Sequence, residues 1–241
     1  MLSRWRGTKS YGQHTWYLVT ASIVLMSVPC DAPAQPVIGN AITCEGVFGK
    51  ESSYERLVEV FGNENVAVEE ITGYENITAP VTVVYPNDPA HRLLLSWNEN
   101  KSKRGLASII VGHDSKWTIK PDIHAGASLD QIEASNGQPF TLLSFEVDDG
   151  GSVTDWHGGA LSRGPGDCKL GMRFEVSDDD ATVTLHEKLS NRTFNQIPSE
   201  GEGEVDSKQW MQDRLFASND PDIRAFKAWV ASITIYYPTH E

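Results

Sequence analysis

The amino-acid sequence predicts an α+β fold of two similar units packed together, each a short helix followed by an antiparallel sheet. The stretches SSYERLVEVFG (Ser52–Gly62) and ASLDQIEASNG (Ala127–Gly137) each hold a serine and, nine positions later, a glycine, with a helical pattern between them. A stretch rich in valine, isoleucine and leucine follows each of them. When the chain is slid along itself until Leu93 lies over Cys168, the apolar alternation of the two stretches is in phase, which indicates a duplicated unit.

The first predicted helix has a signal at each end. Apolar side chains from Tyr54 to Phe61 fall at positions i, i+3, i+4 and i+7, which forms one stripe. Ser52 with Glu55 fits a capping box, and Gly62 stands where a C-terminal glycine belongs.

The second predicted helix repeats this arrangement. Ser128 with Gln131 fits the capping box, Leu129 and Ile132 share a face, and Gly137 follows the helix. The capping serines are one position out of register in the alignment that places Leu93 over Cys168. Two ordinary capped helices in a single α+β domain therefore stay open as an alternative to duplication.

Runs of β-branched and apolar residues predict four strands in each unit. Those of the first unit are Val66–Ile71, Val81–Tyr85, Arg92–Trp97 and Leu106–Val111. Those of the second unit are Phe140–Val147, Ser152–Trp156, Lys169–Val176 and Ala181–His186. Turn-forming residues at Tyr85–Pro89 and Asp148–Gly151 predict a hairpin in each unit. Short helices at Gln209–Phe216 and Asp222–Trp229 and a strand at Ser232–Tyr237 complete the prediction.

The first 34 residues have the pattern of a cleaved export signal. A basic opening precedes the apolar run Trp16–Val28, and Ala32 and Ala34 are the small residues that a signal peptidase reads. The run is too short to span a bilayer, so we expect Gln35 to begin a periplasmic or secreted protein without stable membrane insertion. Lipidation of Cys30 and an uncleaved anchor are the alternatives, and the anchor would need a longer apolar stretch. The predicted organisation is a signal peptide at 1–34 and units at 35–120 and 121–241, the second with an acidic insertion near 192–207.

The charge of the chain excludes several classes of partner. The formal net charge is −13, and removal of residues 1–34, which carry three positive charges and one negative charge, makes it −15. A chain of this charge is repelled by nucleic acid phosphates and by anionic membrane surfaces. We therefore expect neither to be a partner.

Two cysteines remain after residue 34, namely Cys44 and Cys168. An even number of cysteines in an exported protein predicts a disulfide bond between them. A reactive thiol would need a neighbouring base, and no convincing base stands beside either cysteine in the sequence.

The stretch GASLDQIEASNGQPFTLLSFEVDDGGSVTDWHGGAL resembles a pattern in bacterial secreted proteins of unassigned function. There a Gly-x-Ser-Leu helix leads into Asn-Gly-x-Pro-Phe, then a Gly-Gly turn, and then a tryptophan before another Gly-Gly. The stretches CEGVFGKESSYERLVEVFGNENV and VVYPNDPAHRLLLSW resemble the first half of such proteins. The resemblance covers most of the mature chain and implies no biochemistry. It departs from the pattern where Val147–Asp149 replaces an expected Trp-Asp-Tyr.

The tandem layout is also similar, in architecture alone, to the β-lactamase inhibitory proteins, which bind enzymes through an exposed sheet face. Fold-level similarity does not confer function. It adds a binding role, with the sheet face as the contact surface, to the hypotheses for this chain.

Histidines and carboxylates form no recognised catalytic or metal-binding motif, so we expect no metal and no cofactor. The histidines after the signal region are His91, His113, His124, His157, His186 and His240. GHDSKW (Gly112–Trp117) brings His, Asp and Ser together, but a catalytic triad is recognised by spatial geometry and not by adjacency. The acidic stretch Asp148–Asp155 lacks the alternating spacing of a calcium loop.

Tryptophans are the remaining candidates for ligand contact. We expect Trp117, on a polar loop, to be exposed, and we take Trp156 as a second candidate for stacking or anchoring. The sequence therefore favours an exported, non-enzymatic binding or inhibitor-like protein whose partner is a protein or a glycan. An envelope-directed hydrolase with a carboxylate or His113 site, and a structural envelope component, are the alternatives.

Overall fold

The computed structural model describes residues 39–72, 78–120, 123–166, 168–194 and 212–238. Within residues 35–241, the described segments form one compact unit. The proposed signal peptide, with Cys30, and His240 lie outside the described residues, as does the part of the acidic insertion that follows residue 194.

The described chain is a mixed α+β protein, which confirms the predicted class. Its helices are α1 (Tyr54–Phe61), α2 (Leu129–Asn136), α3 (Asp180–Phe194) and α4 (Pro221–Ala225). The first strands are β1 (Val66–Thr72), β2 (Thr78–Val84), β3 (Leu93–Glu99), β4 (Arg104–Val111), β5 (Thr118–Lys120) and β6 (Ile123–His124). The later strands are β7 (Thr141–Leu143), β8 (Val153–Asp155), β9 (Lys169–Glu175), β10 (Leu215–Ala217) and β11 (Trp229–Tyr236). No helix of the described residues has the length and apolar character that crossing a bilayer requires.

A six-stranded antiparallel sheet in the order β1-β2-β3-β4-β11-β9 carries the core. The register aligns side chains in rows across all six strands on the core face. One row is Val66, Val84, Leu93, Val111, Ile233 and Met172, and the next is Val68, Thr82, Leu95, Ile109, Ile235 and Leu170. Leu57 and Phe61 of α1 and Leu129 and Ile132 of α2 belong to the same buried cluster, so both helices contribute to this face.

The prediction of two similar helix-plus-sheet units packed together is not confirmed, because strands from both predicted units join one sheet where β4 pairs with β11. The element bounds nevertheless repeat. α1 and α2 have the same length, and their starts are 75 residues apart in the sequence (129 − 54). The starts of β1 and β7 (141 − 66) and those of β2 and β8 (153 − 78) are also 75 residues apart. β7 and β8 belong to a separate three-stranded sheet in the order β10-β7-β8, and a single bridge between Ser152, just before β8, and Arg173 of β9 connects that sheet to the six-stranded one.

The predicted strand at Ala181–His186 is wrong, because this segment begins α3. Thr182 and Leu189 are buried, and Leu185 between them packs against the core, which gives helical spacing. The Asp179 side chain accepts a hydrogen bond from the Thr182 N–H at 2.8 Å, which satisfies a free donor at the helix start. The last strand of the second half comes later in the chain, as β11. Of the predicted helix at Gln209–Phe216, residues 209–211 lie outside the described residues, Gln212 is helical, and Leu215 and Phe216 belong to β10.

The N-terminal cap of α2 is the one predicted from the sequence, whereas that of α1 is a different serine. Ser128 and Gln131 form the predicted capping box, and Gly137 has a left-handed φ of 80°. At α1 the cap is Ser53, whose side chain accepts from the Arg56 N–H at 3.2 Å. Ser52 is buried instead, so the predicted box with Glu55 does not form.

The predicted disulfide pairing is confirmed. The sulfurs of Cys44 and Cys168 lie at bonding distance, and the two Cα atoms are 6.4 Å apart. The bond joins the segment before α1 to the chain just before β9. A second link in this region is the hydrogen bond that the buried Tyr237 hydroxyl donates to the carbonyl of Phe48.

Candidate functional site

The face of the six-stranded sheet opposite the core, here called the outer face, is the candidate functional surface. Its side chains also form rows set by the strand register. One row is Ala67, Val83, Leu94, Ile110, Thr234 and Gly171, and the next is Ser96, Ser108, Tyr236 and Lys169. Small, hydroxyl-bearing and apolar residues dominate these rows.

Two apolar side chains of the outer face are exposed although they lie on central strands. Ile110 on β4 is 37% exposed and Tyr236 on β11 is 49% exposed. Tyr236 lies over Gly171 of β9, where an added Cβ would come within 2.8 Å of its ring. Ser96 and Ser108 share a hydrogen bond of 2.7 Å, in which one hydroxyl donates and the other accepts, so part of the polarity of this region is used within the sheet.

A groove of about 210 Å³ opens at one end of this face. Leu94 and Ile110 are its strand residues, and the other lining residues are Pro89, Arg92, Gly112, His113 and Asp114. Arg92 is held by an ion pair with Glu69 of β1 at 2.5 Å and by a hydrogen bond to the carbonyl of Pro86 at 2.9 Å. The groove is therefore an apolar depression with a fixed charged rim.

The predicted GHDSKW site does not form a triad. His113 Nε2 lies 3.1 Å from Asp114 Oδ1, and both side chains are exposed at the groove. Ser115 is buried, and its hydroxyl accepts from the Trp117 N–H at 3.2 Å. The structure therefore brings His113 and Asp114 to the outer face and leaves Ser115 in the core.

Neither tryptophan proposed for ligand contact is exposed. Trp117 retains 2% of its surface and Trp156 retains 9%, so the expected exposure of Trp117 is wrong. Trp117 donates its indole N–H to the carbonyl of His91 at 2.7 Å, and Trp156 donates to the carbonyl of Leu170 at 3.0 Å. Burial with a satisfied indole N–H is a packing role.

The motif that carries the resemblance to secreted proteins takes packing positions. The buried Asn136 donates to the carbonyls of Gln138 and Trp156 and accepts from the Leu161 N–H at 3.1 Å. A Cβ on Gly159 would overlap the side-chain amide of Asn136, so only glycine fits there. The asparagine and this glycine thus fasten the end of α2 to the chain that follows β8.

A hydroxyl, an imidazole and a carboxylate lie in series beside the motif. Thr141 Oγ1 is 2.7 Å from His157 Nε2, and His157 Nδ1 is 3.5 Å from Asp155 Oδ2. His157 has a left-handed φ of 52°, and its backbone N–H donates a hydrogen bond of 2.7 Å to Asp155 Oδ1. Reasoning from sequence missed this arrangement because strand pairing between β7 and β8, not sequence spacing, brings Thr141 to His157.

Two further histidines lie beside carboxylates. His186 Nδ1 on α3 lies 3.2 Å from Glu146 Oε1, and Ser144 donates to the same carboxylate. His91 contacts Asp88, and this hydrogen bond lowers the pKa of the Asp88 carboxyl. In the parts of the chain that the structure describes, no three His, Cys, Asp or Glu side chains are grouped to hold a metal ion.

Comparison with known proteins adds no assignment. No protein-family model, no curated protein and no solved structure matches this chain. The outer face and the Thr141–His157–Asp155 arrangement are therefore interpreted from their own chemistry.

Proposed function

We propose that this chain is an exported, non-enzymatic binding protein that contacts its partner through the outer face. The observation that carries the proposal is the pairing of exposed Ile110 and Tyr236 with the 210 Å³ groove on one sheet face. Protein interfaces concentrate affinity in a few anchor residues that fill pockets, surrounded by weakly polar contacts. A groove of this size fits one apolar side chain of a protein partner.

The proposed compartment is the periplasm or the extracellular space. The disulfide bond between Cys44 and Cys168 supports it, since such bonds persist in oxidising compartments. The basic and apolar N-terminal sequence with its small-residue cleavage pattern supports it independently.

We also propose that the two halves are copies of one helix-plus-four-strand unit. The sequence offset shared by α1 with α2 and by the starts of β1 and β7 supports this origin. In the first half β4 follows β3 directly. In the second half α3 and the chain after it separate β9 from β11, so the strand that corresponds to β4 comes later in the sequence. Because the copies join at β4 and β11, Ile110 and Tyr236 lie on either side of the junction and form one surface.

A comparison of retained proteins tests the proposal. Immobilised wild-type protein is exposed to envelope extract beside the double variant I110D/Y236A and the control V183D, which alters an exposed valine on α3. We expect wild type and V183D to retain the same discrete protein and I110D/Y236A to lose it by at least tenfold. Equal retention by all three, a retained glycan, or retention of nothing would contradict the proposal, and the last result would favour the structural alternative.

One observation favours hydrolysis as a second candidate function. A covalent hydrolase uses a base that accepts a hydroxyl proton and is oriented by a carboxylate. Here Thr141 Oγ1 lies 2.7 Å from His157 Nε2, and Asp155 Oδ2 lies 3.5 Å from His157 Nδ1, which is longer than a hydrogen bond. The test is ester hydrolysis with p-nitrophenyl acetate. A rate that falls at least a hundredfold in both T141A and H157A would support catalysis, and equal rates in wild type and both variants would eliminate it.

A further inference from the structure

The outermost strand β1 has an unprotected backbone edge. Within the described residues it pairs with β2 alone, and the pairing runs without a bulge from Val66–Val84 to Thr72–Thr78. Proteins usually protect such an edge with charged side chains, above all lysine, or with proline, a bulge or a covering segment, because it can accept another strand. β1 contains neither lysine nor proline, its charged side chains are Glu69 and Glu70, and the described residues place no other strand against it.

The hydrogen-bond pattern shows which residues of β1 face outward. The Tyr85 N–H donates to the carbonyl of Asn65 at 2.8 Å, so the odd-numbered residues of β1 point their backbone groups toward β2. The even-numbered residues point theirs away from the sheet. Tyr54 confirms this direction, because its hydroxyl reaches the carbonyl of Val66 from that side at 3.4 Å. The N–H and C=O groups of Val68 and Glu70 therefore face outward.

The side chains of the outward-facing residues of β1 indicate what kind of strand could pair with this edge. Val68 is 45% exposed, and Glu70 is also exposed and lies on the same face of the strand. Glu69 points to the opposite face, where Arg92 neutralises it at 2.5 Å. The open edge thus presents one apolar side chain and one exposed carboxylate, two residues apart.

We propose that β1 accepts an extended segment of a basic partner protein as a seventh, antiparallel strand of the sheet. The segment would place an apolar side chain beside Val68 and a lysine or arginine beside Glu70. Main-chain hydrogen bonds to Val68 and Glu70 supply the affinity and the two side chains supply the selectivity, as in other cases of strand addition. The net charge of −15 after residue 34 steers a basic partner toward the protein.

A second copy of this chain is a poorer occupant. An antiparallel pair of β1 strands would hold Glu69 and Glu70 of each copy and no lysine or arginine. Like charges placed opposite each other destabilise strand pairs, and two chains of this net charge repel at a distance. Strand addition at β1 does not depend on binding at the outer face, because the two surfaces use different residues.

Two synthetic peptides test the proposal by NMR titration of the uniformly ¹⁵N-labelled protein. The first is a threonine heptapeptide with lysine at position three and valine at position five, which places these residues beside Glu70 and Val68 in antiparallel pairing. The second has glutamate at position three. We expect the lysine peptide to shift the amides of Val68, Glu70 and Thr72 saturably and to bind at least fivefold tighter than the glutamate peptide.

Backbone variants show whether the edge itself binds. E70P removes an outward N–H together with the Glu70 carboxylate. It leaves the ladder to β2 intact, because the backbone groups of Glu70 point away from β2. We expect at least a tenfold loss of binding in E70P at unchanged melting temperature. We expect an equal loss when the peptide is N-methylated on its valine nitrogen, because that N–H would donate to the outward carbonyl of Val68, and this change leaves the protein unaltered. Shifts confined to other residues, or binding insensitive to N-methylation, would overturn the proposal. Concentration-dependent dimerisation abolished by E70P would instead identify a second copy as the occupant.

Discussion

Ser53 and Ser128 occupy the same position at the start of two helices of equal length, α1 and α2. Each side chain accepts a hydrogen bond of 3.2 Å from the backbone N–H three residues further on. Gly62 and Gly137 follow the two helices with φ values of 89° and 80°. The one-position mismatch in the sequence alignment therefore came from choosing Ser52 as the first cap.

The two adjacent serines before α1 are expected to respond differently to substitution. S53A removes a cap and should lower the free energy of unfolding by about 1 kcal/mol, as should S128A at α2. Ser52 is buried, and its hydroxyl has no hydrogen-bond partner among the described residues, so S52A should be neutral or stabilising. Urea unfolding followed by circular dichroism measures all three. A larger loss of unfolding free energy in S52A than in S53A would show that Ser52, and not Ser53, caps α1.

The contact between Gly159 and Asn136 makes their substitutions interdependent. G159A should cost about 3 kcal/mol, because its Cβ would overlap the Asn136 amide in a packed site. N136A should cost about 2 kcal/mol, since it leaves the Leu161 N–H without its acceptor. In the double variant the overlap disappears, so the combined loss should fall below the sum of the single losses. Strict additivity in urea unfolding would refute the steric explanation.

The disulfide bond is expected to make a large contribution to stability. Cys44 and Cys168 are 124 residues apart, and the chain-entropy model assigns about 5 kcal/mol to a loop of this length. The double variant C44S/C168S should therefore unfold at much lower urea concentration than wild type. Reductant should shift wild type toward the variant and leave the variant unchanged. A variant whose free energy of unfolding matches that of the wild type would show that the bond is incidental.

The ion pairs between α3 and α4 predict a dependence of stability on pH. Hydrogen bonds from Arg192 lower the pKa of Asp220, and hydrogen bonds from Lys188 and then Arg192 lower the pKa of Asp222. A lowered folded-state pKa stabilises the protein above the unfolded-state value of about 4, and this stabilisation is lost as the pH falls through the folded-state pKa. R192M should therefore be less stable than wild type at pH 7 and converge with it near pH 2.

Substitution of Arg56 supplies the control for this pH dependence. Arg56 pairs with Glu59 on the exposed surface of α1, where an ion pair contributes little to stability. R56M should match wild type at both pH values in urea unfolding. A constant difference between R192M and wild type across the pH range would point to lost packing against the Phe216 ring instead of lost charge pairing.

Sequence patterns predicted the local elements well where one signal dominated. The alternation of Leu93, Leu95 and Trp97 placed β3 and its core face correctly, and the Ser128–Gln131 capping box placed α2. Both signals act between near neighbours in the chain. The predicted strand at Ala181–His186 failed because alternation in phase with the first half was preferred over the helical spacing of the buried Thr182 and Leu189.

The candidate surface depended on information that a single sequence lacks. A polar neighbourhood suggested that Trp117 is exposed, yet the His91 carbonyl, distant in sequence, satisfies its indole N–H within the core. Ile110 and Tyr236 become neighbours only through the pairing of β4 with β11, which are far apart in the chain. The choice of the sheet face as contact surface was available from the sequence, and the residues that form it were not.

Site-specific photocrosslinking from position 110 tests the outer face most directly. A photoreactive amino acid replaces Ile110 in one protein and the exposed Val183 of α3 in another, and both proteins are irradiated in the living cells that produce them. Binding through the outer face predicts a discrete crosslinked protein from position 110 that is absent from position 183 and disappears when Tyr236 is also changed to alanine. Identical products from both positions, or none from position 110, would contradict it.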